Sequence, residues 1–511
     1  MWAARDSAIR SRPTRWARAL ALALALTTVV TASAAAPANA TRRKVARAPH
    51  PTAPVTSLPR TGGVGPRVLF VDVEAGPVSG GPGGLGAPVT IFGTGFGPSR
   101  GTSMVTIGGV EVGAYVLWGE HNANNPTLDM IVVQPGPRVS AGPIVVAVGG
   151  IASNRDVAFR PTNGHVYEVA TTGVDTNDCA AARPCATISH LMRDVMRPGD
   201  VGLVRGGTYD ESEVWIRADQ GHSGTVDQPK TVAAYPGESA VYTNAARPLI
   251  VDADYITVAG LHFRNGKSTG VPDVGLPGHR NDRFINNTFN GTIGYSAIDL
   301  HGDNHVIAGN VCDVDASTVG TQGHCFYVSY GSGDRLLYNS AAGAPGYGIH
   351  VFDQQRSGND FRRVISDILI EGNVLRGSTE RSGLILAMGD EGKRGNVIER
   401  VVVRANTLTG NNHTGMVIGS NVHGVTITDN TFSENGRQGL TIADESTISD
   451  VTVTGNRFEQ SANGVCRSNC SWYVVAHIQK GSAAQQVMIV GNRYLPMPPA
   501  VVGATDPAPA S

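Results

Sequence analysis

The sequence predicts an all-β protein in which an N-terminal β-sandwich precedes a single-stranded right-handed parallel β-helix. Three observations predict it: a repeat of strand and asparagine that runs from about Asp254 to Tyr494, short alternating strands before that repeat, and abundant glycine. The chain has 64 glycines in 511 residues and only 6% aromatic residues, which favours short strands joined by tight turns over a helical bundle. Its length exceeds what one hydrophobic core usually organises, so two or more units are expected.

The N-terminal 40 residues predict a secretory signal peptide. Five arginines precede the apolar run from Ala19 to Val30, and Ala38-Asn39-Ala40 follows it, so cleavage is expected after Ala40. The apolar run is too short to predict a membrane span. Residues 41–65 and 496–511 have no apolar periodicity and predict a disordered linker and a disordered tail. We therefore expect a secreted, extracellular protein.

Net charge limits the classes of binding partner that are expected, and cysteine spacing indicates the cellular compartment. The formal charge of −1 provides no global field that would attract nucleic acid or an anionic membrane. In an exported chain, cysteines in close couples predict disulfides. No couple has a histidine at zinc-finger spacing, which argues against a structural metal. The three couples are Cys179 with Cys185, Cys312 with Cys325, and Cys466 with Cys470.

Residues 66–160 contain short alternating strands separated by Gly, Pro and Asn turns, which is typical of a β-sandwich. Three segments carry a more specific signal: Pro88-Val-Thr-Ile-Phe-Gly-Thr-Gly-Phe-Gly97, the turn Ile107-Gly-Gly109, and Ser140 to Val148 with Ser153-Asn154. On these segments the region resembles the IPT/TIG family of immunoglobulin-like domains. The resemblance implies a spacer or a binding module, and we find no catalytic constellation in it.

The β-helix is expected to span residues 163–495 and to begin with a cap. A short helix is predicted from about Thr187 to Met196, because Pro198-Gly199 ends it, and a strand from Val201 to Val204 follows. The order of a TG-x-D-x-N segment, a short helix, PGD and a GTY turn resembles the N-terminal cap of secreted β-helix proteins of the polysaccharide lyase type. A cap is physically required, since the first coil of a solenoid has no neighbour below it.

The repeat consists of an apolar strand, an asparagine, one further residue and a large residue. Successive asparagines are 23 to 36 residues apart, which indicates short strands with loops of variable length. Apolar residues recur at every second position, as in strands, and each asparagine falls at a corner where its side-chain amide can pair with neighbouring coils. We therefore expect the asparagines to have a structural role. The eight asparagines are Asn287, Asn310, Asn339, Asn373, Asn406, Asn430, Asn456 and Asn492.

A second strand in each coil places a column of side chains on the outside of the β-helix. The second and fourth residues of this strand are large and apolar, so the third should point outward. Because parallel strands stack about 4.8 Å apart, the third residues of successive coils should lie side by side, next to the longest insertions. The column is Asp299, Tyr327, His350, Ile385, Val417 and Thr441.

Histidine and tyrosine beside a carboxylate suit β-elimination from a uronic-acid polymer. We expect His350 to remove the proton α to the substrate carboxylate, Tyr327 to protonate the leaving oxygen, and Asp299 to complete the catalytic set. A cation must offset the enolate charge; the candidates are Arg356, Lys393 and a calcium ion at Asp299 and Asp353. The expected substrate-binding residues are His301, Asp353, Arg356 and Lys393. The alternative for the column is an ordinary hydrogen-bonded polar ladder.

Residues 163–494 as a whole resemble the right-handed parallel β-helix carbohydrate-active proteins, which include polysaccharide lyases, glycoside hydrolases and uronan epimerases. The resemblance implies a polysaccharide partner, and we expect a monomer. A lyase that cleaves an acidic polysaccharide is favoured. A hydrolase that uses Asp299 with Asp353 or Asp390, an epimerase, and a non-catalytic glycan-binding or adhesin-like protein stay open. The fold alone does not choose among them.

Overall fold

The computed structural model of this chain describes residues 65–122, 125–211, 214–243, 249–266, 269–271, 279–352, 364–388, 395–459, 477–495 and 501–502. The predicted signal peptide and nearly all of the predicted linker and tail lie outside these residues. In the described ranges, no helix is long and apolar enough to cross a membrane. The predicted all-β character is confirmed.

Two β-sheets that share one core form the N-terminal part. The strands of one sheet are, in spatial order, Arg67–Val71, Val89–Thr94, Asn125–Gln134 and Ala114–Asn122. The strands of the other are Ala75–Pro77, Ala158–Thr162, Gly142–Val148, Met104–Ile107 and Val110–Glu111, with Ile151–Ala152 paired to Gly142–Val148. Ile91 and Ile131 of the first sheet and Ile107 and Val146 of the second are fully buried together. Membership of the IPT/TIG family stays a prediction.

From Val166 onward the chain winds through three parallel sheets, here named sheets 1, 2 and 3 in the order that each coil visits them. The strands of sheet 1 are Val166–Val169, Val201–Val204, Lys230–Ala234, Ile256–Ala259, Arg283–Ile285, Val306–Ala308, Arg335–Leu337, Leu369–Glu371, Val397–Arg404, Val422–Thr428, Ile448–Thr454 and Val487–Val490. The strands of sheet 2 are Gly207–Tyr209, Ala240–Tyr242, His262–Arg264, Thr288–Ile293, Val311–Ser317, Ser340–Ala342, Val374–Arg376, Thr407–Thr409, Thr431–Ser433, Arg457–Glu459 and Arg493–Leu495.

The strands of sheet 3 are Val214–Arg217, Leu249–Asp252, Thr269–Val271, Ser296–Asp303, His324–Ser332, Ile349–Val351, Leu384–Leu386, Met416–Ile418, Leu440–Ile442, Ile478–Lys480 and Val501–Val502. Two short strands, His279–Arg280 and Val364–Ser366, lie between sheets 3 and 1. Each strand pairs in parallel with the strand one coil away, so the predicted parallel β-helix is confirmed.

A short helix covers the first coil. It runs over Ile188–His190 and continues as a wider turn over Leu191–Val195, close to the predicted bounds. The Thr187 hydroxyl accepts a hydrogen bond from the His190 amide, and the Glu211 carboxylate accepts the amides of Ile188 and Ser189, so the N-terminal donors are satisfied. Its apolar residues join the β-helix core; they are Ile188, Leu191 and Met192. Three-residue 3-10 turns lie at Pro82–Gly84, Ala218–Gln220 and Gly320–Gln322.

The repeated asparagines form a continuous ladder inside the corner between sheets 1 and 2. Asn373, for example, donates from Nδ2 to the Leu336 carbonyl at 2.8 Å and to Asn406 Oδ1 at 2.9 Å, while its own Oδ1 accepts the amide of Asn339 at 2.9 Å. The same bonds recur from Asn287 to Asn492. Side-chain amides thus satisfy backbone groups that the corner would leave unpaired, which confirms the predicted structural role.

The interior of sheet 2 is filled by stacked rings at both ends of the β-helix and by a disulfide between them. Tyr242 stacks with Tyr209 at 5.1 Å, and Phe432 stacks with Phe458 at 4.7 Å between ring centroids. Cys312 occupies the ring position next to Phe289 and is joined to Cys325 of sheet 3. The Cys179–Cys185 pair is also formed. Two predicted disulfides are therefore confirmed, while Cys466 and Cys470 lie outside the described residues.

The two-sheet part lies against the outer face of sheet 1. Phe70, Phe92 and Leu128 share one buried cluster with a column of small and apolar side chains on sheet 1. That column is Ala233, Ala259, Ile285, Ala308 and Leu337. Arg283 of the same face donates to the carbonyls of Val71 at 2.8 Å and Asp72 at 3.1 Å. The contact is apolar and hydrogen-bonded, as expected for parts that fold onto one another.

Candidate functional site

Sheet 3 brings the predicted catalytic residues together. Asp299 pairs with Tyr327 and Tyr327 with His350 on three consecutive coils, and the column continues through Ile385 and Val417 as predicted. The neighbouring strand residues point inward and are fully buried, so the column faces away from the core. It is nevertheless covered: Tyr327 is 7% exposed and His350 is 6% exposed, whereas the Asp299 side chain is 23% exposed.

The cover consists of aromatic rings, here named the ring cluster: His324, Tyr327, Tyr347, His350 and Phe352. His350 lies at its centre, with ring centroids 4.2 Å from His324, 4.8 Å from Tyr327, 4.9 Å from Tyr347 and 5.1 Å from Phe352. Tyr347 and Phe352 are half-buried, and the other three rings are buried. Within the ring cluster, Tyr347 and Phe352 are therefore the rings more accessible to solvent.

Burial keeps the histidines of the ring cluster neutral. Loss of solvent, followed by the nearby His324 and Arg381, lowers the pKa of His350 well below 6.5. Burial likewise lowers the pKa of His324 to about 4. The Tyr347 amide donates to His324 Nδ1 at 3.0 Å, so the single proton of this ring lies on Nε2. His350 Nδ1 has no hydrogen-bond partner among the described residues.

Polar side chains lie at the Asp299 end of the column. His301, predicted to bind substrate, contacts Asp299 Oδ1 through Nε2 at 3.2 Å. The Ser329 hydroxyl, on the next coil, lies 2.8 Å from His301 Nδ1. Asp299 and His301 are half-buried and Ser329 is buried, so this end of the column offers a carboxylate and an imidazole at the edge of the ring cluster.

A positive charge lies beside the ring cluster at a position that the sequence analysis missed. The guanidinium of Arg381 lowers the pKa of His324, His350 and Tyr347, and Arg381 lies in the turn that leads to Ile385, which pairs with His350 on the neighbouring coil. Arg381 is exposed, and no ion pair joins it to a carboxylate of the described residues. Its position two residues before Gly383, the glycine that precedes a sheet 3 strand, is a signal that could have identified it.

Several predicted site residues cannot be placed. Asp353, Arg356 and Lys393 lie outside the described residues, as does Asp390, so the predicted calcium ligands reduce to Asp299, whose Oδ1 already contacts His301. Around Asp299, the described side chains contain no group of three carboxylate or imidazole ligands that converges on one point. Calcium at this position stays a prediction. Among the residues that the structure describes, one group converges, Cys179, Cys185 and His190, and both of its sulfurs are in a disulfide.

Comparison with known proteins supports the architecture. A family model for the right handed beta helix region matches residues 366–477. No curated protein shows significant sequence similarity to this chain.

Similar solved structures include the pectate lyase Pel9A, with 16% identity and a TM-score of 0.39 over 64% of this chain and 78% of that chain. A rhamnogalacturonan lyase is similar with 14% identity and a TM-score of 0.36 over 66% of this chain and 90% of that chain. The GH136 lacto-N-biosidase from Eubacterium ramulus is also similar, with 11% identity and a TM-score of 0.30 over 66% of this chain and 68% of that chain. At these identities and TM-scores, the likeness carries no argument about activity. The assignment of a parallel β-helix rests on the strand pairing of this chain itself.

Proposed function

We propose that this chain is an exported polysaccharide lyase that cleaves a uronate-containing polymer by β-elimination at the ring cluster. The observation that carries the proposal is the stacked pair of Tyr327 and His350 beside the exposed guanidinium of Arg381. β-Elimination needs a base for the proton α to the carboxylate, an acid for the leaving oxygen and a cation for the enolate, and these three groups supply one of each.

His350 is the proposed base. Its neutral form is already present at neutral pH, because burial disfavours the imidazolium. A buried neutral imidazole alone is a weak base. A substrate carboxylate in the site would raise the pKa of His350, since a nearby anion stabilises the imidazolium, and basicity would then rise only when substrate is bound.

Tyr327 is the proposed acid, and the half-buried ring of Tyr347 lies 4.9 Å from the ring of His350. Burial raises the pKa of Tyr347, so this phenol is protonated at neutral pH and can donate a hydrogen bond. Arg381 is the proposed cation, in the role first assigned to Arg356, Lys393 or calcium. A guanidinium suits this task because it offers paired donors to both oxygens of a carboxylate.

The proposal is tested by incubating residues 41–511 with polygalacturonate, alginate, chondroitin and neutral glycans, with calcium or a chelator, while ultraviolet absorbance and reducing ends are followed together. A lyase produces both signals, because elimination creates a C4=C5 double bond. His350→Gln and Tyr327→Phe should each lower the rate about 100-fold or more. His423→Gln is the matched control, since His423 is a half-buried histidine of sheet 1. Full activity in either site variant would refute the assignment.

A non-catalytic glycan-binding function is the second candidate, and one observation favours it. Tyr327 and His350 are almost fully covered, which suits an internal aromatic ladder as well as a site that opens for substrate. In that case the chain would bind polymer without producing either signal, and His350→Gln would leave binding unchanged.

The proposal has three further parts that rest on sequence patterns. Export would use the predicted signal peptide over residues 1–40, and the two disulfides suit an oxidising compartment. Residues 66–160 would be an IPT/TIG-like accessory module. If calcium at Asp299 and Asp353 supplies the cation in place of Arg381, the chelator in the assay above abolishes activity.

A further inference from the structure

Three consecutive coils reach sheet 3 through the same turn, and each places a basic residue at the same position. The turns are Arg381-Ser-Gly383, His413-Thr-Gly415 and Arg437-Gln-Gly439. Their backbones are joined directly: the His413 amide donates to the Arg381 carbonyl at 3.2 Å, and the Arg437 amide donates to the His413 carbonyl at 3.0 Å. The three basic side chains, here named the basic row, are therefore spaced one coil apart.

The turns that carry the basic row are held in register by buried groups. Asn411 donates from Nδ2 to Asn435 Oδ1 at 2.9 Å, which stacks the turn of one coil on the next. Gly415 permits the close approach, because a Cβ there would lie 2.6 Å from the Gly439 carbonyl oxygen. The row is thus built on rigid backbone rather than on loop tips, and its spacing is set by the β-helix itself.

The side chains of the basic row form one connected group. The Arg437 guanidinium lies 3.4 Å from His413 Nε2. Burial, together with the charges of Arg437 and Arg381, lowers the pKa of His413 to about 4, so a neutral imidazole separates two guanidinium groups. The nearest carboxylate in sequence, Glu380, is exposed and forms no ion pair with Arg381 within the described ranges.

We propose that the basic row binds the carboxylates of a polyuronate chain that lies along the β-helix axis, with Arg381 and Arg437 each holding one carboxylate. The inference rests on the proposed function and specifies its substrate subsites. The backbone turns that carry Arg381 and Arg437 are two coils, or about 10 Å, apart, a distance over which a repeating polymer presents more than one charge. Half-buried Ile385 and Val417 lie on the same coils and offer an apolar surface to sugar rings.

A carboxylate is the fitting ligand because guanidinium groups bind planar anions in preference to neutral sugars. The chain as a whole has a net charge of −1, so its overall electrostatic field would not attract an anionic polymer, and the local charge of the basic row would have to do so. Arg381 also lies four residues before Ile385, which pairs with His350 on the neighbouring coil, so the row would lead the polymer towards the proposed base. One carboxylate on Arg381 would belong to the sugar that reacts, and one on Arg437 to a sugar further along the chain.

The test measures binding by titration calorimetry, in full-length chains that carry His350→Gln so that polymer stays intact. The probes are polygalacturonate and alginate, with methyl-esterified polygalacturonate as the uncharged counterpart. Arg437→Gln and Arg381→Gln should each weaken binding of a polyuronate roughly tenfold, the effect of about 1.4 kcal/mol expected for one charged hydrogen-bonded contact. Arg376→Gln, an exposed arginine of the Arg381 coil on sheet 2, should leave the affinity unchanged.

The outcomes separate this inference from the proposed lyase activity. Weakened binding in both variants, without any absorbance signal from the parent chain, supports the basic row and refutes the lyase. Cleavage by the parent chain with unchanged affinity in Arg437→Gln supports the lyase and overturns the basic row. Equal binding of the esterified polymer, or no binding of either polyuronate, also overturns it.

Discussion

His350 shows how the surroundings of one residue set its chemistry. Four rings enclose it, so the cost of burying a charge, rather than a partner, determines its protonation. An ordinary surface histidine would lose its basic form near pH 6.5. The neutral form of His350 persists well below that pH.

The pH dependence of activity should report this shift. Because the pKa of His350 is lowered, we expect kcat/KM on polyuronate to stay level as the pH falls from 8 to 6 and to decline only well below 6.5. The ratio kcat/KM reports groups of the free enzyme, in which no substrate anion raises the pKa. A rate-versus-pH profile that bends at 6.5 would contradict the buried location of the base.

Asn373 offers a test of the asparagine ladder. Asn373→Leu removes a donor and an acceptor and leaves buried backbone groups of Leu336 and Asn339 unpaired. Since each such group costs about 1–3 kcal/mol, we expect the free energy of unfolding to fall by about 3 kcal/mol or more in urea titrations. Asn373→Asp, which keeps the acceptor, should lose less at low pH. A loss below about 1 kcal/mol in Asn373→Leu would show that the ladder is not required.

The positions of some site residues could be predicted from the sequence, and those of others could not. Asn287 to Asn492 and the column from Asp299 to His350 could be predicted, because strands of period two fix which residues of neighbouring coils align. Arg381 and Arg437 were missed, although each lies two residues before the glycine that precedes a sheet 3 strand, because a turn position alone does not show which surface the side chain borders. The cover over His350 was not predicted, because His324 and Tyr347 directly precede the aligned residues Cys325 and Gly348, and the sequence pattern does not show where their rings lie.

At the level of elements, the corner that precedes sheet 1 contains ionisable groups with no exposure. Asp282 Oδ1 accepts the Ile256 amide at 2.8 Å, His305 Nδ1 accepts the Asp282 amide at 3.2 Å, and Asp334 Oδ1 accepts the His305 amide at 2.8 Å. Burial raises the pKa of both carboxyls well above 3.8 and lowers the pKa of His305 to about 4. The corner is therefore stabilised by neutral acceptors.

This corner predicts how stability depends on pH. A carboxyl whose pKa is raised by folding stabilises the fold fully at low pH, and that stability is lost as the pH rises through the folded pKa. Asp334→Asn keeps the acceptor and cannot ionise, so it should raise the free energy of unfolding at pH 8 by about 1–3 kcal/mol, since a tenfold change in proton affinity corresponds to about 1.4 kcal/mol.

Urea unfolding at pH 5 and pH 8 measures this effect. The gain in Asp334→Asn should be larger at pH 8 than at pH 5. Asp315→Asn, which changes an exposed carboxylate of sheet 2, is the control and should show no gain. A destabilised Asp334→Asn at pH 8 would mean that the carboxylate is ionised and paired. Asp282, His305 and Asp334 each lie five residues before a repeated asparagine, so the repeat aligns them. Their burial was not predicted, because polar residues at this position are replaced by apolar ones in the later coils.

At the scale of the whole molecule, the two-sheet part and the β-helix share buried surface. The outer face of sheet 1 would otherwise expose Ile285, Ala308 and Leu337, and Phe70 and Phe92 cover it, with their rings stacked at 4.7 Å. Arg283 adds hydrogen bonds to the backbone of Val71 and Asp72. The expected spacer is therefore packed against the β-helix.

Phe70→Ala should destabilise both parts together. Phe70 is 5% exposed and contacts Phe92 and Tyr338, so its removal should lower the free energy of unfolding by about 3–5 kcal/mol. Differential scanning calorimetry should show a single transition that moves to lower temperature. Val116→Ala, at a position that is 40% exposed, is the control. Two transitions, with the β-helix transition unmoved, would show that the parts are independent.

The division into two β units could be predicted from the change in strand pattern near residue 163, whereas their contact could not. Strands of a sheet that is buried on both faces have apolar residues at successive positions, as at Phe284-Ile285 and Leu336-Leu337. They indicate that the outer face is covered, without indicating by what. Only the folded chain shows that Phe70 and Phe92 cover it.

The most direct test of the central claim is the mass of the products that the chain releases from a polyuronate. β-Elimination at the ring cluster predicts oligomers that are unsaturated and lighter by one water than hydrolysis products, formed by the natural chain and lost in His350→Gln. Hydrated oligomers, or unsaturated oligomers that His350→Gln releases at an undiminished rate, would contradict it.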